Sequence, residues 1–412
     1  MIKEYRTNNN SSKLPILGFG TMRLPTNNGT INKDAATKLI NTAIDEGVTL
    51  LDTAYLYHNG ESETFLGEII TSEKRKKVQL STKLPVWMVK KEEDLDKYLD
   101  KQLEKLQTDY IDYYFLHSMN KDVFQELKKF HLIEFLDRIK KTGKVKYVGF
   151  SFHDDYETFK EIIDYYPWDA TIIQYNYLDD TIQAGTKGLK YAYNKDINIF
   201  IMEPQKGGLI IKNIPSEVQN ILNKQESFTT PSNWAIKWVM SHPEVTCVLS
   251  GMGNTNELYE NIQTANNTKP NSLTESELTA YKEIKETYTN LIKIPCSHCN
   301  YCKPCPVNVN IPECFEIYNN KYIFNLKNNI RTYIFKTSGV IGGKPSYAGL
   351  CIKCGKCIKS CPQKINIPEK LELVKKDMEP RGFKQLVSII NKLGTPIINL
   401  SSNLHQLRQK RK

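Results

Sequence analysis

From residue 16 to about residue 285, short apolar runs alternate with stretches whose apolar residues recur at helical spacing. The runs at 16–21, 49–54, 78–84, 110–117, 145–152, 170–177, 197–204 and 245–252 predict eight strands. The segments between them read as helices. Asp34 stands where an N-cap would precede Leu39, Ile40, Ala43 and Ile44 on one face, and Gly47 stops that segment. Leu95, Leu99, Leu103 and Leu106 form the stripe of another. Strand–helix alternation predicts an α/β fold with a parallel sheet covered by helices. Eight repeats suit a closed (β/α)8 TIM-type barrel better than an open doubly wound sheet. No G-x-G-x-x-G follows an early strand, which removes the main mark of a Rossmann fold.

In such a barrel, chemistry gathers on the loops after the strand C-termini. Asp52 ends the second run and Tyr57 follows it, Lys83 ends the third, and His117 ends the fourth. Ser151 stands at the end of the fifth, Gln174 and Asn176 at the end of the sixth. A phenol with a pKa of about 10 is a poor acid at neutral pH. A neighbouring ammonium favours the phenolate and lowers that pKa, and a carboxylate beyond the lysine keeps it charged. His117 would orient a carbonyl. The set predicts an acid site for reducing C=O, given a hydride donor. The other tyrosines, of 23 in all, read as core or surface, and His58, His131 and His153 as supporting or solvent residues.

Several short pieces recur together over about 270 residues: Gly18-Phe19-Gly20-Thr21, Leu51-Asp52-Thr53-Ala54 with Tyr57, Gly60-Glu61-Ser62-Glu63 with Leu66-Gly67, Ser81-Thr82-Lys83, Leu116-His117, Gly149-Phe150-Ser151, Gln174-Tyr175-Asn176 and Glu260-Asn261. In this order they resemble the aldo-keto reductase family. The resemblance implies a barrel that binds NAD(P)H without a Rossmann fold. It assigns Tyr57 as general acid/base, Lys83 and Asp52 as its tuners and His117 as carbonyl orienter. Ser151 and Gln174 would hold the nicotinamide amide, with Gly20, Thr21, Met202 and Pro204 also at the cofactor. Glu260 and Asn261 would meet the adenine. The chain departs from the family at Phe152, where an Asn is frequent, and at Met202, where many members stack a Tyr on the nicotinamide. The family's readers of a 2′-phosphate are a Lys and an Arg, at positions that here hold Gly251 and Glu257. A carboxylate facing a phosphate repels it, so NAD versus NADP stays open. Lys206 would neutralise a pyrophosphate or stand in a solvated loop.

Composition splits the chain. Residues 1–285 carry 35 Lys/Arg and 39 Asp/Glu, whereas residues 286–412 carry 21 and 7. Nine of the ten cysteines lie between Cys296 and Cys361. Gaps of two and three residues predict metal ligation rather than disulfides. Cys296-x-x-Cys299-x-x-Cys302-x-x-Cys305-Pro306 precedes Cys351-x-x-Cys354-x-x-Cys357-x-x-x-Cys361-Pro362, and the second run is that of bacterial ferredoxins. In such pairs the fourth cysteine ligates the other cluster. That assigns Cys296, Cys299, Cys302 and Cys361 to one 4Fe-4S cluster and Cys351, Cys354, Cys357 and Cys305 to the other. Zinc would leave the close triplets unexplained. Cys247 and Cys314 read as buried thiols. Residues 311–350 read as inward-facing helices, like those of helical two-cluster ferredoxin domains.

The expected domains are a barrel over 1–285, a ferredoxin-type domain over 286–370 and a basic tail over 371–412. The tail's Arg408, Lys410, Arg411 and Lys412 suit a solvated end better than a nucleic-acid arm. No apolar run reaches the ~18 residues of a membrane span and the first residues lack a signal-peptide core, which predicts a cytoplasmic protein without membrane contact. The whole resembles the aldo-keto reductase subgroup with a ferredoxin-type extension. Two oxidised clusters would reduce the +14 of residues 286–412 to roughly +10. A basic surface of that kind suits an acidic electron-transfer partner. Hydride carries two electrons and a cluster takes one, so exchange between them needs a converter, such as a flavin. Three readings stand at this point: a carbonyl reductase with structural clusters, a flavin-coupled electron-transfer enzyme, and a non-catalytic cofactor-sensing scaffold.

Overall fold

The computed structural model describes residues 1–9, 13–296, 301–326, 329–340 and 344–390. The chain forms two compact units. The first comprises residues 1–212 and 225–279; the second comprises 213–224 and the chain from 280 onward. The expected boundary is 285/286; by contacts the second unit takes in the chain from 280 together with one short helix, Ser216–Leu222.

The first unit is a closed barrel of eight parallel strands: β1 (Leu17–Gly20), β2 (Leu50–Asp52), β3 (Gln79–Leu84), β4 (Ile111–Met119), β5 (Val145–Phe152), β6 (Ala170–Gln174), β7 (Asn198–Met202) and β8 (Cys247–Ser250). Each strand pairs with its sequence neighbours, and β8 closes on β1 through Val248–Leu17 and Ser250–Phe19. The barrel interior is filled by Leu50, Tyr113, Phe115, Ile172, Phe200 and Leu249, with Tyr113 stacked on Tyr147 at 4.8 Å. Close approach at β5 requires glycine: a Cβ on Gly149 would lie 2.2 Å from the Ala170 carbonyl oxygen.

Helices alternate with the strands. The first, Lys33–Asp45, is capped by Asn32, whose side chain accepts the Ala35 N–H. Asp34 instead lies in the first turn, where its charge still favours the helix N-terminus. Gly47, at φ 85°, follows its C-cap. Helix Glu93–Leu106 buries Leu95, Leu99 and Leu106.

In the second unit, helices Ile311–Ile323, Ile330–Thr337 and Ile367–Met378 surround a core that includes Phe315, Tyr333, Ile365, Leu371 and Val374. Met378, Phe383 and Val387 belong to that core too. Residues 371–387 are thus packed structure rather than a tail, because Leu371, Val374 and Met378 recur at helical spacing among the lysines. The basic end that was expected to be solvated lies outside the described residues. Among the described residues no helix is long and apolar enough to cross a membrane.

Candidate active site and cysteine centre

The barrel topology brings Asp52, Lys83, His117 and Tyr57 to the C-terminal ends of β2, β3 and β4 and the loop after β2. Lys83 Nζ donates to both Asp52 carboxylate oxygens, at 2.8 and 2.7 Å, and to the Thr53 carbonyl at 2.8 Å. Ser81 Oγ donates to the same carboxylate. Both ionic partners are buried. Burial pulls the Lys83 ammonium down, but Asp52 and Tyr57 together more than offset it, and the group is held above its ordinary value.

Lys83 Nζ sits 5.1 Å from the centroid of the Tyr57 ring. Burial raises the Tyr57 hydroxyl above its ordinary value, and the pull of Lys83 in the other direction does not overcome it. The lowered phenol expected from the sequence is therefore corrected: proximity to an ammonium was legible, and the extent of desolvation was not. His117 lies 6.3 Å from the Tyr57 ring and 5.1 Å from Trp87, centroid to centroid. Burial, then Lys83, presses His117 well below its ordinary value, so the imidazole is neutral. The register shift between Leu116 and Met119 places His117 in an irregular stretch of β4, with Ser118 at φ 57°. Bulges of this kind re-aim a side chain toward a site.

A buried network outside the expected set fixes β3. Glu63, fully buried, accepts from Thr82 Oγ1 at 2.7 Å, Gln102 Nε2 at 2.5 Å and Lys105 Nζ at 3.1 Å. Gln102 also donates to the Lys83 carbonyl at 3.1 Å. The residues next to Lys83 are thereby held by an ion pair that sequence spacing does not reveal.

The expected cofactor residues divide. Ser151 Oγ accepts the Ser118 N–H at 2.7 Å, which leaves the hydroxyl able to donate elsewhere. Gln174 and Met202 are direct neighbours across β6 and β7, setting an amide beside a thioether face at the mouth. This donor set fits a nicotinamide. Gln174 nevertheless donates to Asp179 and accepts from Gln183, and Asn176 is spent on Asp179, Leu178 and the Glu203 carbonyl. Lys206 is ion-paired with both oxygens of Asp179 at 2.8 Å. Pro204 is buried in the same loop, where Glu203, Lys206, Gly207 and Gly208 all have positive φ. Thr21 is buried; its hydroxyl donates to the Asp52 carbonyl. Gly20 pairs with Asp52 across β1 and β2.

In the loop after β8, Glu257 has a local task. Its carboxylate accepts the Gly253 N–H and the Asn254 amide, while Asn254 Oδ1 accepts the Glu257 N–H. This reciprocal box caps helix Thr255–Asn267. Glu260 accepts from Thr230, and the buried Asn261 links Ser250 and Ser232. Arg23 was missed by sequence reasoning. Its side chain packs where a Cβ on Gly251 would sit, 3.0 Å from Cδ, and its guanidinium donates to the Gly207 carbonyl at 3.1 Å. A cation from the loop after β1 thus stands beside Gly251. Like Trp87 after β3, it follows a strand end, and that rule would have found both.

In the second unit, Cys305, Cys351, Cys354 and Cys357 line one cavity of about 200 Å³, together with Cys302, Pro306, Ile352 and Pro368. These four are the thiols assigned together from the sequence. Soft sulfur donors around it fit an iron–sulfur cluster. Of the other set, Cys296, Cys302 and Cys361 are half-buried against the domain core. Cys299 lies outside the described residues. Cys314 is buried, its Sγ 3.8 Å from the Tyr333 hydroxyl, and Cys247 is buried within β8.

Comparison with known proteins agrees with this division. Residues 16–286 match the model of the aldo/keto reductase family, and residues 295–366 match the 4Fe-4S dicluster domain. An uncharacterized oxidoreductase YqkF of Bacillus subtilis is 25% identical over 296 residues, covering 64% of this chain and 90% of the relative. The NADH-specific methylglyoxal reductase of Escherichia coli is 21% identical over 320 residues, covering 66% and 94%. Among solved structures, the holo form of aldo-keto reductase AKR11C1 from Bacillus halodurans superposes with a TM-score of 0.58 at 21% identity, covering 68% of this chain and 96% of that one.

Proposed function

The chain belongs to the aldo/keto reductase family, and from that membership we propose that its barrel reduces an aldehyde or ketone, or oxidises the corresponding alcohol, with NAD(P)(H) at the mouth. The observation that carries the reading is the buried Lys83–Asp52 pair facing Tyr57, with a neutral His117 alongside. When bound, the reduced nicotinamide supplies a hydride to the carbonyl carbon. Ser151, Gln174 and Met202 would hold its ring. His117, neutral, donates a hydrogen bond that orients the carbonyl oxygen. Tyr57, protonated at neutral pH, gives its proton to that oxygen as negative charge develops there. The Lys83 ammonium, fixed by Asp52, stabilises the phenolate left behind, and water reprotonates it. Arg23 would place a positive charge near the dinucleotide's phosphates. The second unit would hold two 4Fe-4S clusters.

A second reading, in which a flavin at the mouth couples hydride to those clusters, is favoured by one observation. Cys354 is exposed, so the cavity's thiols reach the surface as an electron-exchange centre requires. One experiment tests both. Anaerobic, cluster-replete protein is titrated with NADH and then NADPH, with and without a simple aldehyde. The Tyr57→Phe variant is expected to bind nicotinamide while losing about 10²–10⁴-fold in aldehyde reduction. Unchanged turnover in that variant removes Tyr57 from the proposed role. Bleaching of the cluster absorption supports the coupled reading; turnover without bleaching supports a self-contained reductase.

A further inference from the structure

We infer that the surface around the cavity ringed by Cys305, Cys351, Cys354 and Cys357 is a docking port for a one-electron carrier protein with an acidic face. The inference rests on reading that cavity as an iron–sulfur site. Three observations converge on it. First, two large apolar side chains stand on the cavity's rim in solvent, Tyr301 at 67% and Ile352 at 62% exposure. Apolar side chains grouped at a redox site mark a contact surface rather than ordinary exterior. Second, the exposed Cys354 gives the centre a path to the surface through one thiolate.

Third, the charge around this rim is predominantly positive, with Glu369 and Glu372 the acidic residues beside the lining residues Pro368 and Leu371. Lys303 and Lys356 line the cavity itself. Lys353, Lys359 and Lys364 are exposed nearby in the chain, and residues 351–364 contain no Asp or Glu. Of these lysines, Lys353 has an acidic neighbour, Glu372, at a loose 3.6 Å. An apolar centre with a charged rim is the composition of small electron-transfer interfaces, which bury little area and rely on charge for encounter. A second copy of this chain would set lysines against lysines. A carrier whose redox centre is ringed by carboxylates is steered in. The transfer moves one electron between carrier and centre, in either direction, and no bond forms or breaks.

The test uses the full, cluster-loaded chain and purified flavodoxin as the acidic probe. Zero-length carbodiimide coupling joins lysines to carboxylates only where the two proteins touch. The expected product is a one-to-one adduct linking flavodoxin carboxylates to Lys303, Lys356 or Lys359, its yield collapsing as salt shortens the screening length. In stopped flow at low salt, the double variant Lys303→Glu, Lys359→Glu should slow electron exchange with flavodoxin hydroquinone at least tenfold. Its NAD(P)H-dependent aldehyde turnover should stay unchanged. The Lys→Gln double variant, checked for iron content, carries the test if the charge reversal does not fold.

Adducts elsewhere on the chain, salt-insensitive exchange or self-coupled dimers overturn the port. So does binding to phosphatidylglycerol vesicles that the lysine variants abolish, because a lipid surface would then be the occupant. A chain that binds no iron overturns the reading of the cavity together with the port. Iron-loaded protein whose rim lysines stay uncoupled overturns the port alone.

Discussion

Lys83 serves two purposes that substitution separates. It stabilises the phenolate of Tyr57, and it neutralises the buried carboxylate of Asp52. In Lys83→Met, Asp52 keeps the Ser81 hydroxyl but loses its counter-charge inside the barrel. Removing one partner of a buried pair costs about 3–5 kcal/mol, because the other is left uncompensated. Tyr57→Phe removes only a hydroxyl. Both variants should lose turnover, and only Lys83→Met should melt at a distinctly lower temperature. Equal melting of Lys83→Met and wild type would show that Asp52 finds compensation elsewhere. The four mouth residues were legible because each stands at or just after a strand end, and a closed parallel barrel brings such ends together whatever their separation in sequence. The partners of the outlying residues were not legible. Gln174 read as holding a nicotinamide, Lys206 as meeting a pyrophosphate or solvent and Glu257 as facing a phosphate it repels, yet Asp179 takes the first two and the Gly253 N–H the third. Such competition depends on which polar atoms meet in space.

At the scale of elements, all eight strands were legible from their apolar runs, because a strand buried on both faces has little room for polar residues. The irregularity that aims His117 was not, since a register shift depends on the pairing of β4 with β5. In the second unit, the cysteine spacing announced the ligands but not what presents them. The turn Ala348–Leu350 leads directly into Cys351, whose N–H bonds the Ala348 carbonyl at 3.0 Å. Tyr333 accepts the Ala348 N–H at 2.8 Å and donates to Glu379 at 2.7 Å, and Glu379 accepts the Gly349 N–H at 2.8 Å. A Cβ on Gly349 would lie 2.2 Å from Glu379, so this clasp also requires the glycine. Tyr333→Phe strands a buried N–H, at about 1–3 kcal/mol. The variant should hold less iron per chain and release it faster to a chelator than wild type. Unaltered iron content and release would mean that the turn holds its shape without Tyr333.

At the scale of the whole molecule, the four tryptophans, Trp87, Trp168, Trp234 and Trp238, all belong to the barrel unit, so tryptophan fluorescence follows that unit by itself. This isolates a pH effect. Two histidines, His117 and His242, are half-buried and held below the ordinary value of 6.5, in both cases chiefly by desolvation. His242 is boxed by Trp238 and Tyr175, at ring separations of 4.4 and 5.2 Å, and one ring nitrogen meets the Trp238 carbonyl at 2.8 Å. Below pH 6.5 the unfolded chain takes up protons at both positions while the folded barrel resists them. The unfolded state then binds more protons, so stability is full above that pH and declines as pH falls, by up to about 1.4 kcal/mol per unit for each histidine. A second decline follows at lower pH. Glu277, paired with Lys237, is held below its ordinary 4.5, and its contribution is lost as pH falls through the lowered value. The fluorescence melting temperature should therefore begin to fall near pH 6.5, well before carboxylates titrate. His242→Gln, which keeps a polar contact but takes up no proton, should make that first decline shallower, leaving the share of His117 and the second decline in place. A melting temperature that stays level from pH 7 to pH 5 in wild type would mean that the barrel protonates these imidazoles without cost, and the neutral His117 on which carbonyl orientation depends would fall with it.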